Sequence, residues 1–299
     1  MQAHEFEVHD PRFRRLTQPN ALLQKITGDC LWTEGPVYLP AADLLVWSDI
    51  PNNRMMRWAP GMGAGMFRAP SNFSNGNTLD REGRIVTCEH GGRRVTRTEH
   101  DGRVIELASR FEGKRFNSPN DLIVDSRGMV WFTDPDCDYE GYRAESEIRR
   151  CNVYRISPAD GRVHLATDDF IKPNGLAFSP DESTLYIADS GATHDESGPR
   201  HIRAFDVARD GALSSSRVVI EMRSGVPDGF QIDEHGNIWT SAEDGVHCYA
   251  PDGALLGMIA LPEVVSNLTF GGAARNRLFI TATTSVYTLP LCVRAAGAN

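Results

Sequence analysis

Asn120-Asp-Leu-Ile-Val-Asp-Ser-Arg-Gly-Met-Val-Trp-Phe-Thr-Asp134 carries the pattern that decides the fold. A polar opener leads into a short apolar run, an Asp-Ser-Arg-Gly turn and a second apolar run closed by an acid. Two extended runs joined by such a turn make a β-hairpin, because aspartate bonds its own backbone two residues on and glycine takes the left-handed conformation a tight turn needs. Five other stretches superpose on this one. They begin Glu34-Gly-Pro-Val-Tyr38, Asn77-Thr-Leu-Asp80, Asn174-Gly-Leu-Ala-Phe178, Asp228-Gly-Phe-Gln-Ile-Asp233 and Asn267-Leu-Thr-Phe270, and each is followed by a second run such as Leu44-Leu-Val-Trp-Ser-Asp49 or Thr184-Leu-Tyr-Ile-Ala-Asp189.

The openers recur every 39 to 54 residues, which leaves room for two more strands per unit. Four antiparallel strands form one blade of a propeller, and repeats of about this period indicate that architecture. The expected fold is therefore all-β, a six-bladed β-propeller with four antiparallel strands per blade. Residues 31–299 form the propeller domain and residues 1–30 an N-terminal arm. Residues 19–26 of the arm are either a short helix or an outer strand latching the last blade. The longer repeats leave polar loops at 134–150 and 190–200, placed to roof a pocket.

Composition limits the partners. The chain has 299 residues, 40% hydrophobic and 24% charged, with 31 Lys+Arg against 40 Asp+Glu and a net charge of -9. That is an ordinary globular balance, with no basic face for phosphate backbones or anionic lipids. No nucleic acid and no membrane partner is expected, and the oligomeric state is left open. No apolar leader or bilayer-length run is present. The compartment expected is the cytoplasm, or the periplasm if a leader has been removed. Six cysteines, Cys30, Cys88, Cys137, Cys151, Cys248 and Cys292, lack metal-finger or disulfide-framework spacing and read mostly as reduced thiols; Cys137 and Cys151 flank a polar loop, either as two unrelated thiols or as a pair.

First strands of propeller blades line the central channel, so the six openers point toward one place. All six, Glu34, Asn77, Asn120, Asn174, Asp228 and Asn267, carry oxygen donors. Asn and Asp also favour strand starts for local reasons, which accounts for any one opener. That preference does not account for two acids brought to a crowded axis, where like charges repel unless a cation compensates. Glu34 and Asp228 supply charge for a divalent ion, and the amide oxygens of Asn120 and Asn174 complete a hard oxygen shell. Ca2+ is the first choice, then Mg2+ or Mn2+. Zn2+ comes last because no histidine or cysteine stands among the openers.

Trp32-Thr-Glu-Gly-Pro36, Phe116-Asn-Ser-Pro-Asn-Asp121, Lys172-Pro-Asn-Gly-Leu176 and Pro227-Asp-Gly-Phe230, in this order, resemble the SMP-30/gluconolactonase/regucalcin-like family of six-bladed propellers. The resemblance runs from about Thr33 to the last blade. It implies hydrolysis of lactones, often sugar lactones, with a divalent cation. It matches Glu34, Asn174 and Asp228 to metal ligands and Asn120 to a position that reaches metal or substrate. Where regucalcin-type members carry an arginine two positions before the match of Asn120, this chain has Ser118, with Arg115 displaced nearby. Glu89-His90 is similar to the histidine of the related paraoxonase lactonases.

The candidate activity is a metal-dependent carboxylic-ester hydrolase, a lactonase of the gluconolactonase type. Asp228 is the first candidate for the catalytic base and His90 the second, since a free histidine titrates near 6.5. Asn120, Asn77 and Arg115 are the candidate substrate-binding groups, and the partner is a small-molecule lactone. The alternatives are a non-enzymatic calcium- or ligand-binding propeller and a paraoxonase-like esterase or phosphotriesterase. No Gly-x-Ser-x-Gly elbow, His-Glu-x-x-His or Walker loop is present. Gly61-Met-Gly-Ala-Gly65 lacks a following helix and reads as a plain loop. Trp47, Trp131 and Trp239 recur at matching second strands, where they read as blade packing.

Overall fold

A computed structural model describes residues 6–136 and 146–297. The hairpin repeat becomes six antiparallel sheets around a channel. Blade 1 holds Thr33–Leu39, Leu44–Asp49, Arg54–Ala59 and Gly63–Arg68, and blade 2 holds Ser74–Leu79, Ile85–Glu89, Arg94–Thr98 and Val104–Ala108. Blade 3 comprises Leu122–Val124, Val130–Asp134, Cys151–Ile156 and Val163–Phe170; blade 4 comprises Pro173–Phe178, Thr184–Asp189, His201–Val207 and Leu213–Glu221. Phe230–Ile232, Ile238–Ala242, Gly245–Tyr249 and Leu255–Ala260 make blade 5. Val265–Gly271, Arg277–Ala282 and Ser285–Pro290 begin blade 6.

The arm is divided between two blades. Phe6–Val8 pairs with Leu255–Ala260 as a fifth, outermost strand of blade 5, and Gln24–Thr27 pairs with Ser285–Pro290 as the fourth strand of blade 6. Of the two forms open for residues 19–26, the strand is adopted from Gln24 onward, while 19–23 are turn and irregular chain. The only helical turn between them, Phe13–Leu16, buries Phe13 and Leu16 against blade 5 and blade 6 core residues. Closure is completed where blade 6 meets blade 1: Ser266 Oγ donates to Thr33 O at 2.6 Å and Thr33 N donates to Thr283 O at 2.9 Å. A closed ring leaves no sheet edge between first and last blades.

Burial is greatest in the second strands and lower in the fourth strands, except Leu255–Ala260 of blade 5, which Phe6–Val8 covers. Second strands are buried throughout, as in Val130–Asp134 and Ile238–Ala242, whereas the outer strand Leu213–Glu221 is mostly exposed. Trp47, Trp131 and Trp239 are fully buried between blades, which is the packing role read from their spacing. Two of them are held by turn aspartates: Trp131 Nε1 donates to Asp125 Oδ2 at 3.2 Å and Trp239 Nε1 to Asp233 Oδ2 at 3.0 Å. The same aspartates accept N–H groups of their own turns, and the turns close on Gly128 (φ 82°) and Gly236 (φ 81°). The Gly61–Gly65 stretch is a turn followed by the outer strand of blade 1. Cys30, Cys88, Cys151, Cys248 and Cys292 are free thiols, and Cys137 lies outside the described residues. Among those residues, no helix is long and apolar enough to cross a membrane.

Candidate active site at one end of the channel

Close approach between neighbouring blades brings the openers together, and glycines beside the openers permit it. Gly175 N donates to Asp228 O at 3.1 Å, Gly76 N to Asn120 O at 2.8 Å and Gly229 N to Ser266 O at 2.8 Å. A Cβ on Gly175 would stand 2.4 Å from Asp228 O, and one on Gly76 would stand 2.5 Å from Asn120 O. Side chains are excluded there by backbone, which cannot yield.

Three carboxyl groups converge in this ring: Glu34, Asp228 and Asp121, the last of which was passed over in the sequence beside its neighbour Asn120. Glu34 Oε2 accepts Gly35 N at 2.8 Å and Asn267 Nδ2 at 3.2 Å. Asp121 Oδ1 accepts Leu122 N at 2.9 Å, while its Oδ2 meets the same Asn267 amide nitrogen at 3.4 Å. Burial holds Glu34 well above the ordinary carboxylate range, and repulsion from Asp228 and Asp121 adds to it. Burial likewise lifts Asp121 to about 6. Asp228 is lifted to about 7, again chiefly by burial; the Lys172 ammonium pulls it back, Asp121 pushes it up and the Asn174 amide lowers it.

The neutral ligand candidates are held from behind. Asn174 Nδ2 donates to Ser190 Oγ at 3.2 Å, and that hydroxyl in turn donates to Pro227 O, next to Asp228. The amide nitrogen is thereby engaged, leaving the carbonyl oxygen as the atom that could meet a cation. Asp228 N is tied to Ser241 Oγ at 2.8 Å. Asn120 is anchored through its backbone to Thr133 O at 2.8 Å.

The other candidates take different places. The Asn77 amide nitrogen bonds Gly35 O (2.8 Å), Ser48 Oγ (3.0 Å) and Asn75 O (3.0 Å), and its oxygen accepts Thr87 Oγ1 at 2.8 Å. Its polar atoms are thus engaged in joining blades 1 and 2. Arg115 donates from Nη2 to Gly92 O at 2.6 Å, and its own N–H goes to Glu147. His90 is buried beside Asn75, with Nε2 and Asn75 Nδ2 3.1 Å apart. Burial lowers its ring to about 3, assisted by the Lys172 charge, so at neutral pH it is uncharged rather than titrating near 6.5. Lys172 itself, unremarked in the sequence except as part of a motif, donates to Thr193 Oγ1 at 3.0 Å. Its charge reaches both His90 and Asp228.

No three His, Cys, Asp or Glu side chains among the described residues form a metal cluster by themselves. The donor set is two carboxylates, Glu34 and Asp228, completed by amide oxygens. Acids whose ionisation is opposed by burial and by one another fit a hard divalent cation, which would relieve both penalties.

Residues 32–284 match the family described as SMP-30/Gluconolactonase/LRE-like region. The gluconolactonase of Zymomonas mobilis is 34% identical over 303 residues, covering 92% of this chain and 83% of that protein. The pentonolactonase XacC of Haloferax volcanii is 30% identical over 260 residues, covering 84% and 81%. A gluconolactonase structure from Xanthomonas campestris superposes with a TM-score of 0.90 at 38% identity, covering 96% of this chain and 94% of that one. With its ring of blades, its converging openers and these relatives in agreement, the chain belongs to the SMP-30/gluconolactonase/LRE-like family.

Proposed function

We propose that the protein is a divalent-cation-dependent lactonase that opens small sugar-derived lactones, gluconolactone being the type substrate, to their hydroxy acids. The observation that carries this reading is the gathering of Glu34, Asn174 and Asp228 at the channel, where burial opposes ionisation of both acids and the Asp228 charge adds to it at Glu34. Gluconolactonase and pentonolactonase relatives support the substrate class. Glu34, Asn120, Asn174 and Asp228 would hold the cation, Ca2+ first. Bound there, the cation would polarise the lactone carbonyl and favour the oxyanion that develops in the transition state.

The remaining chemistry belongs to the chain. Asp228 takes a proton from the attacking water and returns it to the ring oxygen as the C–O bond breaks, leaving one hydroxyl and one carboxyl. Burial lifts this carboxyl to about 7 in the cation-free chain, and a bound cation would lower it, keeping Asp228 ionised as a proton acceptor at neutral pH. His90, buried, neutral and bonded to Asn75, serves as a hydrogen-bonding group and not as the base. Asn120 is the candidate for contact with the substrate. Asn77, once expected to do the same, is assigned instead to positioning the ring.

The test is acid release from gluconolactone and other lactones by chelator-treated protein, before and after Ca2+, Mg2+, Mn2+ or Zn2+ is restored. Loss and recovery of turnover are expected, and full turnover without metal overturns the reading. A protein that binds the cation yet opens no lactone is a binding propeller. One that prefers aryl esters or phosphotriesters by kcat/KM belongs to the paraoxonase-like alternative.

A further inference from the structure

We infer that Asn267 is a positioning residue that forms the floor of the cation site and selects which oxygen of Glu34 faces the ion. The inference rests on the channel being a cation site, as proposed above. Asn267 opens blade 6, yet its amide nitrogen donates to Glu34 Oε2 in the adjoining blade 1 at 3.2 Å and to Asp121 Oδ2 in blade 3 at 3.4 Å. Blades 3 and 6 face each other across a ring of six, so this one amide spans the bore.

Its orientation is determined on three sides. Asn267 Oδ1 accepts Leu268 N at 2.8 Å, which turns the nitrogen toward the carboxylates. Rotation by half a turn would set the carbonyl oxygen against two carboxyl groups, and like partial charges oppose it. Above it, Gly229 leaves the space it occupies, since a Cβ there would stand 1.9 Å from Asn267 Cγ. The Asp228-Gly229 pair therefore supplies a ligand candidate and the room for the floor beneath it.

The consequence falls on Glu34. Among the described residues, the hydrogen bonds to its carboxylate, from Gly35 N and from Asn267, both land on Oε2. Oε1 is the oxygen left for a ligand. A neutral donor shared by two acids also separates them without adding a charge that would compete with a cation. Outer partners of this kind commonly alter metal affinity by about 10–100-fold when removed.

The experiment titrates Ca2+ and Mn2+ calorimetrically into chelator-treated full-length protein, so it does not depend on turnover. Asn267→Leu removes both hydrogen bonds at similar size, and Asn267→Ser keeps a polar group too short to reach both acids. Both are expected to weaken cation binding about 10–100-fold. Asp125→Ala, which loosens a turn far from the channel acids, is expected to lose thermal stability while keeping the wild-type Kd. Wild-type affinity in both Asn267 variants overturns the inference while leaving the cation site standing. So does equal weakening in Asn267→Leu and Asp125→Ala. A wild-type protein that binds no divalent cation overturns both this inference and the reading beneath it. Where Asn267→Leu does not fold, Asn267→Ser decides alone.

Discussion

Asp134, fully buried, and Asp228, partly buried, are carboxyl groups both lifted to about 7 by their surroundings, yet the protein surrounds them differently. Asp134 closes the second strand of blade 3, where Oδ2 accepts Asn117 N at 2.9 Å and Oδ1 accepts Ser118 N at 2.8 Å. Asp49 and Asp189 repeat the arrangement: Asp49 accepts Leu31 N at 2.9 Å, and Asp189 accepts Ile171 N at 3.0 Å and Lys172 N at 2.9 Å. Each closing acid thus grips the loop that delivers the opener of its own blade. Asp228, Glu34 and Asp121 share a few amide donors and repel one another, with the Lys172 charge acting on Asp228. Closing acids are structural groups held by backbone N–H groups, with Arg54 and Asn52 added at Asp49, whereas the channel acids receive few donors and oppose one another's ionisation.

The sharpest way to break this distinction is Asp228→Asn. Loss of its proton-accepting role is expected to reduce lactone turnover by about 10²–10⁴-fold with little loss of folding stability, measured as kcat at saturating cation alongside urea denaturation. Comparable turnover in the variant would place Asp228 with the structural acids. Asp134→Ala is the converse. Two buried N–H groups lose their acceptor, and a stability cost of about 2–4 kcal/mol is expected in urea titrations, with cation affinity falling less than in Asp228→Asn.

A third test uses protons. Carboxyl groups raised by folding bind more protons folded than unfolded between about pH 4 and 7, so the stability of cation-free protein falls as pH rises through that window. His90, lowered to about 3, acts in the opposite sense below about 6.5, but it is one group against several. Asp228→Asn is expected to flatten the fall, gaining about 2–4 °C in melting temperature on the parent between pH 5 and 8. Parallel curves for the two proteins would contradict the direction assigned to Asp228. The smallest effect belongs to the far end of the blades, where Trp239→Phe removes the bond to Asp233 and should cost about 1 kcal/mol without altering cation affinity.

Particular residues mark how far the sequence could be read. The blade repeat was legible because opener, turn aspartate and glycine, and paired apolar runs are local features. Glu34, Asn120, Asn174 and Asp228 were legible because they occupy one position of that repeat. Asp121 was not, since it follows an opener and its importance comes from facing Asn267 across the channel. Asn77 occupies the repeat position too, but Gly35, Ser48, Asn75 and Thr87 take up its amide, and only the packing of blade 2 on blade 1 reveals that. His90 changes character for a similar reason: burial, invisible in a dipeptide, keeps its ring neutral.

The sequence by itself determined the number of blades, the hairpin within each and the oxygen-bearing residue that starts it, because turn chemistry and strand alternation act over a few neighbouring positions. Tertiary structure decided which of those oxygens stay available, where the arm joins blades 5 and 6, and how strongly the channel acids resist ionisation. Those outcomes depend on groups brought together from blades far apart in the chain, at distances of a few ångströms that local patterning does not encode.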